Sequence, residues 1–354
     1  MKVTSTRKLD HLRICNEQEV ECGSTGFGDV HLLHNALPEC DLERIDLSAQ
    51  FLDFRLRSPL FIAAMTGGHP ATAEINRRLA AAAEHFGIGM GVGSQRAALE
   101  NSALADSFTL VRETAPHAFL CANLGIAQLR EHGVEWGERA VEMIEAQCLV
   151  IHLNFLQEAI QPEGDHRAEG CLDSLQALCR EITVPVIVKE TGAGISESVA
   201  RRILGAGASA IDIGGSGGTS WAAVEVIRAN GTRTAEVGRP FTSWGIPTAV
   251  SLGEAARTGA PLIATGGLRT GIDLAKSLAM GAHLGGMALP LFRAGMQGEK
   301  MLSDTIEILQ QQLRVTMFLT GSRTITDLRS IRPRLTGLTR QLLEEPKREE
   351  NHGY

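Results

Sequence analysis

The run CLVIHLN (148–154), continued by FLQE (155–158), decides how this chain is read. A short, nearly unbroken apolar run predicts a strand buried on both faces, as parallel strands covered by helices are. The same stretch then delivers His152, Asn154, Gln157 and Glu158, and the turn after it adds Glu163 and Asp165. Polar groups at the end of a buried strand are costly for a core. They make sense where the strand end opens on a polar ligand. A strand end that simply surfaces is also polar, so the rest of the chain must support the functional reading.

Working outward, similar apolar runs recur. PLFIAAM (59–65), GIGMGVG (87–93) and FLCANLG (119–125) precede the opening run; PVIVKE (185–190), AIDIGG (210–215), PLIATGG (261–267) and HLGGMALP (283–290) follow it. Helical stretches such as 72–86, 137–147, 196–207 and 271–280 lie between them. Alternating strands and helices imply a parallel sheet. Eight units over roughly 230 residues fit a closed (β/α)8 TIM barrel, which typically needs about 250; an open doubly wound sheet is the alternative. Two additions are expected, an N-terminal extension and a long insertion between strands six and seven containing WAAVEVIRANGTRTAEVGRPFTSWG (221–245). Insertions of that length are usually functional or oligomeric.

Composition narrows the class. The 354 residues are 44% hydrophobic and only 4% aromatic, with 38 glycines, which suits tight turns and close helix packing. A net charge of −7 argues against generic nucleic-acid binding, which needs a basic surface. The seven cysteines include no CxxC pair, so neither a disulfide framework nor a zinc ribbon is indicated, and a cytoplasmic setting is expected. No signal peptide and no membrane span are predicted.

In a barrel, the chemistry sits where the strands end. That rule gathers Met65 and Thr66 from strand one, Ser94, Gln95 and Arg96 from strand two, Asn123 from strand three, and the His152–Glu158 cluster from strand four. Lys189 and Glu190 end strand five, Thr219, Ser220 and Trp221 follow strand six, and Arg269 follows strand seven. The glycine-rich turns GGSGGTS (214–220) and TGG (265–267) can bring backbone N–H groups close to an anion, and a helix N-terminus after the second favours negative charge. Short loops are also simply built from glycine. Lys189 can be a Schiff-base nucleophile, an anion partner or a surface residue; beside a flavin it would stabilise the reduced anion. Arg7, Lys8 and His11 cluster in a flexible-looking leader, either as a solvated basic tail or as ligands for a second anion.

Laid out this way, the chain closely resembles the type 2, flavin-dependent isopentenyl-diphosphate isomerases. The likeness runs through RKLDH (7–11), HNALPE (34–39), AAMTGG (63–68), GIGMGVGSQRAALE (87–100), HLNFLQE (152–158), KETGAGIS (189–196), GGTSW (217–221), ATGGLRTGID (264–273) and GMALP (286–290). The resemblance implies FMN, active in its reduced state with NADPH or NADH as reductant, together with Mg2+ and a homotetramer or homo-octamer. It implies interconversion of isopentenyl and dimethylallyl diphosphate by a 1,3-allylic shift.

Carried over by position, Ala64, Met65, Thr66, Ser94, Asn123 and Lys189 would meet the flavin ring and ribityl chain. Thr219, Gly266, Gly267, Arg269, Ala288 and Leu289 would hold its tail. Arg7, Lys8, His11, Ser94, Gln95, Arg96 and Trp221 fall on the substrate. Gln157, His152 and Asn154 take the catalytic positions, Gln157 near the isoprene unit, and Glu158 would bind Mg2+. Residues 1–58 would then cover the substrate, 59–335 form the barrel with a C-terminal helix, and 336–354 a charged tail. A hydroxy-acid oxidase or inosinate-dehydrogenase-like enzyme on the same barrel would need a hydride-transfer base or a catalytic cysteine loop, and no cysteine follows strand six. A non-enzymatic phosphate-binding barrel leaves the HLNFLQE cluster unexplained.

Overall fold

The computed structural model describes residues 2–65 and 67–344, with side chains from Arg7 onward. Eight parallel strands close into a barrel in sequence order. They are β1 (Leu60–Ile62), β2 (Gly89–Gly91), β3 (Leu120–Gly125), β4 (Cys148–Leu153), β5 (Val186–Glu190), β6 (Ala210–Asp212), β7 (Leu262–Ala264) and β8 (Leu284–Met287). Every strand falls inside its expected run, so the closed barrel displaces the doubly wound alternative.

The interior is layered by the two-residue pleat. Asn123, Val150, Ile187 and Ala210 are register partners on β3 to β6. Two residues further along, Gly125, His152, Lys189 and Asp212 form the next layer. The mostly apolar layer packs the core, and the polar layer above it floors a cavity. At the opposite end a hairpin, Ala49–Phe51 with Phe54–Leu56, closes the barrel. Phe51 and Phe54 pack on Phe119 with ring centroids 6.1 and 4.7 Å away. Gly89 has to be small, because a Cβ there would lie 2.8 Å from both Phe61 and Phe119. The cavity opens at the carboxyl ends of the strands, the end away from this hairpin.

The leader is helical over Lys2–Glu17 and packs against the helix Trp221–Arg228 of the long β6–β7 insertion, burying Ile14 and Cys15. Residues 20–25 then lie as a strap along the glycine loop after β6. Ser220 N–H donates to Val20 O (2.8 Å), Cys22 N–H to Gly218 O (3.2 Å), and Ala249 N–H to Thr25 O (2.8 Å). The stretch 336–354, expected as a charged tail, begins instead with a helix, Gly337–Glu344. That helix is tied down where Asp29 accepts from Thr339 N–H (3.0 Å) and Gly26 O from the Thr339 hydroxyl (3.1 Å). Residues 345–354 lie outside the described residues.

Candidate active site

The polar floor carries two differently tuned groups. The His152 ring lies with Nδ1 2.7 Å from Asn123 Oδ1, while Asn123 Nδ2 donates to Val92 O (2.9 Å). That second bond fixes the Asn amide, so Nδ1 carries the imidazole hydrogen and Nε2 is a bare acceptor. Burial, with the nearby Lys189 and Lys8 cations, pushes His152 down to about 4, so the ring is neutral at neutral pH. Lys189 donates to Glu190 O (2.6 Å) and sits 3.7 Å from Asp212 Oδ2. Glu190 turns away into its own loop, where the N–H groups of Gly192, Ala193 and Gly194 converge on Oε2. Burial raises it to about 7 against those amides.

The leader helix forms the roof. Lys8 Nζ donates to Ser94 O (3.1 Å) and Gly67 O, pinning the helix to the ends of β1 and β2. Burial, then the neighbouring Arg7 charge, lowers Lys8 to about 7. His11 Nε2 meets Glu225 Oε1 at 2.8 Å, and His11 stands edge-on to Trp221 with centroids 5.2 Å apart. Glu225 is a fully buried hub, since Gln157 Nε2 (3.0 Å) and Arg228 Nε (2.7 Å) also donate to it. Burial pushes its carboxyl up, but His11, Gln157 and Arg228 together outweigh that and hold it at about 2.

Sequence reasoning missed Glu225. The signal was present as a lone acid inside the apolar helix AAVEVI (222–227), because such a charge needs buried partners. Gln161, also missed, lies beside it; with its amide turned, it donates to Glu225 (3.2 Å) and accepts from Arg7 (2.9 Å).

The two glycine turns interlock on the third wall. A Cβ on Gly266 would run into the backbone of Gly215, and one on Gly218 into that of Gly267. The helix after the second turn, Gly271–Ala279, is not the expected anion site. Its entry is closed by its own capping box: Asp273 Oδ2 accepts from the N–H groups of Arg269 (3.1 Å) and Thr270 (3.0 Å). A longer helix whose N-terminus reaches the cavity without a side-chain cap is Leu289–Gln297 after β8.

One cavity collects almost all of the anticipated residues. Arg7, Lys8, His11, Ser94, Arg96 and Trp221 line it from the roof and rim. Asn123, His152, Asn154, Gln157, Glu158 and Lys189 line it from the floor and the β4 end. Ala64, Met65, Thr219, Gly266, Gly267 and Arg269 line the remaining wall, with Ala288 and Leu289. Thr66 lies outside the described residues. Gln95, expected at the substrate, does not line the cavity; it is fully buried in the wall, donating to Ala140 O (2.8 Å) and accepting from Asn123 N–H (2.8 Å). The space measures about 1480 Å3 including the open mouth.

A family model described as FMN-dependent dehydrogenase matches residues 153–333. An isopentenyl-diphosphate delta-isomerase of Methanoregula boonei is 59% identical, covering 97% of this chain and 97% of its own. The Archaeoglobus fulgidus protein of the same name is 53% identical, covering 96% and 99%. The chain belongs to the isopentenyl-diphosphate delta-isomerase family. Among solved structures, a Pediococcus acidilactici lactate oxidase superposes with a TM-score of 0.65 at 18% identity, covering 92% of this chain and 87% of that one. A mandelate oxidase variant gives 0.63 at 17%, covering 95% and 96%. At such identity these two speak for the barrel alone. Membership of the isomerase family together with the FMN-dependent match places this flavoprotein with the type 2 isomerases.

Proposed function

We infer that the protein converts isopentenyl diphosphate to dimethylallyl diphosphate with reduced FMN as an acid–base cofactor, in isoprenoid biosynthesis. The observation that carries this reading is the pairing of two anion-adapted zones in one cavity. The interlocked glycine turns and the uncapped helix after β8 suit one phosphate, and Arg7, Lys8 and Arg96 suit another.

The residues fit FMN. The cradle has no room for Cβ atoms at Gly266 or Gly218, Lys189 offers a cation at the floor, and Ala64 and Ala288 keep the walls smooth. Reduced FMN, when bound, supplies a proton at N5 and an electron-rich face. The chain supplies the remainder. Protonating an unactivated alkene gives a tertiary cation, toward which Trp221 turns an aromatic wall. Gln157 is held amide-first on Glu225, which leaves its carbonyl oxygen as an acceptor for the isoprene end. Asn154 and His152 orient the substrate, and the cations of Arg7, Lys8 and Arg96 compensate the diphosphate where water is excluded.

Glu158 fits a Mg2+ role of a particular kind. Its carboxylate accepts from Asn154 Nδ2 (2.9 Å) and Asp165 N–H (2.9 Å). No cluster of three His, Cys, Asp or Glu ligands exists among the described residues. One carboxylate suits an ion held chiefly by diphosphate oxygens and water.

NADPH or NADH is the proposed reductant, and a homotetramer or homo-octamer the proposed assembly. A cytoplasmic setting fits the seven unpaired thiols, and among the described residues no helix is long and apolar enough to cross a membrane. The deciding experiment incubates the FMN-loaded, anaerobically reduced protein with isopentenyl diphosphate and Mg2+. Dimethylallyl diphosphate should accumulate over many turnovers with no matching consumption of reductant. Product limited to one equivalent per reduced flavin would overturn the reading.

A further inference from the structure

Asp212 is buried beside Lys189, just beneath the cavity lining, and the chemistry above gives it no task. It is the register partner of Lys189 on the adjacent strand, and both point into the barrel. Lys189 Nζ stands 3.7 Å from Asp212 Oδ2, with the side chains 12% and 3% exposed. The carboxylate is set for that approach. Its other oxygen, Oδ1, takes the hydroxyl of Thr265 at the end of β7 and the Gly214 N–H (3.4 Å), so Oδ2 is left for lysine. The ammonium has three hydrogens. One goes to Glu190 O (2.6 Å), one faces Asp212, and the third is left for the cavity.

We propose that Asp212 is a positioning and charge-compensating residue for Lys189, so that the pyrimidine edge of FMN meets a hydrogen-bond donor from an ion pair rather than a free cation. This rests on the reading that places Lys189 at the flavin. A free ammonium at that edge would favour negative charge on the reduced ring, and a carboxylate beside it subtracts from that field. The reduced ring then stays basic enough to hold and return a proton, as an isomerisation without net redox demands. Burial pushes the Asp212 carboxyl above the ordinary carboxylate range, with Lys189 and Thr265 pulling it back. Loss of the Thr265 hydroxyl therefore makes Asp212 readier to take a proton.

The test uses FMN-loaded protein and two readouts besides turnover: the flavin midpoint potential against a reference dye, and the pH at which the reduced-flavin spectrum changes from neutral to anionic. Asp212→Asn keeps the shape and removes the charge. It should shift the reduction equilibrium toward reduced flavin about tenfold, about 30 mV for a two-electron couple, and lower the pH of the spectral change. Lys189→Met should move both readouts the opposite way, whereas general loosening of the flavin site would move both variants together. A silent Lys189→Met removes lysine from the flavin, and the proposal with it. A Lys189→Met effect with Asp212→Asn silent, or shifted in the same direction, leaves the lysine reading intact and overturns the role of Asp212. If Asp212→Asn does not fold with FMN, Thr265→Val decides: it should raise the potential by a smaller amount, and an unchanged potential overturns the proposal.

Discussion

His11 Nε2 lies 2.8 Å from Glu225 Oε1, joining the leader to the insertion helix across 214 residues of sequence. The same carboxylate holds Gln157 and Arg228. One buried charge therefore sets the position of the roof helix, the side chain of Gln157 and the insertion at once. Glu225→Gln keeps the volume but turns one acceptor oxygen into a donor facing His11, Gln157 or Arg228. A charge-assisted bond contributes about 1.5–3 kcal/mol, so kcat/KM for isopentenyl diphosphate should fall roughly ten- to a hundredfold. FMN content should not change, because the cradle lies on another wall. Wild-type steady-state kinetics in this variant would remove Glu225 from the site's architecture.

His152 should be neutral, with the hydrogen on Nδ1, throughout the working pH range. Its folded value near 4 lies below the ordinary 6.5. Above pH 6.5 both the folded and unfolded chains carry a neutral ring. As the pH falls from 6.5 toward 4 the unfolded chain takes up the proton first, so this group's contribution to stability is lost over that window. Nitrogen NMR of labelled histidine in the FMN-bound protein should show an unprotonated Nε2 at pH 6. An imidazolium signal there would refute the assignment.

Two truncations should separate the leader's two jobs. Deleting residues 1–12 removes Arg7, Lys8 and His11 but leaves the strap at 20–25. FMN binding should survive while kcat/KM drops by about a hundredfold or more, the equivalent of two charge-assisted contacts. Deleting residues 1–25 also strips Val20 O and Cys22 N–H from the glycine loop and Thr25 O from Ala249 at the end of the insertion, and FMN should be lost on gel filtration. Normal turnover by the shorter truncation would return the RKLDH segment to a solvated basic tail.

For the metal, the informative change is Glu158→Gln. The amide can still accept from either Asn154 or the Asp165 N–H, but it has no charge to share with a hard cation. A Mg2+ titration of activity should show its midpoint raised about tenfold with FMN still bound. A superimposable titration curve would take Glu158 out of the metal site.

The alternation of apolar runs and helices was enough to place all eight strands, because a buried parallel strand must be apolar along its whole length and a turn must be glycine-rich. Which strand-end residues share a cavity followed from the same rule, since every inward side chain at the carboxyl rim of a closed barrel faces one axis. Chain folding alone decided the rest. Gln95 and Arg96 are neighbours in SQR, yet one is buried in the wall and the other lines the cavity, because the helix starting at Arg96 turns them apart. The Gly271–Ala279 helix looked like an anion site until its capping box showed Asp273 already satisfying the entry. Glu225 and Asp212 stood in apolar runs where the neighbouring sequence supplies only part of their pairing, Arg228 for the one and the Gly214 N–H for the other. The remaining partners, His11 and Gln157 for Glu225, Lys189 and Thr265 for Asp212, arrive from elements tens to hundreds of residues away, and only the folded barrel with its leader brings them close.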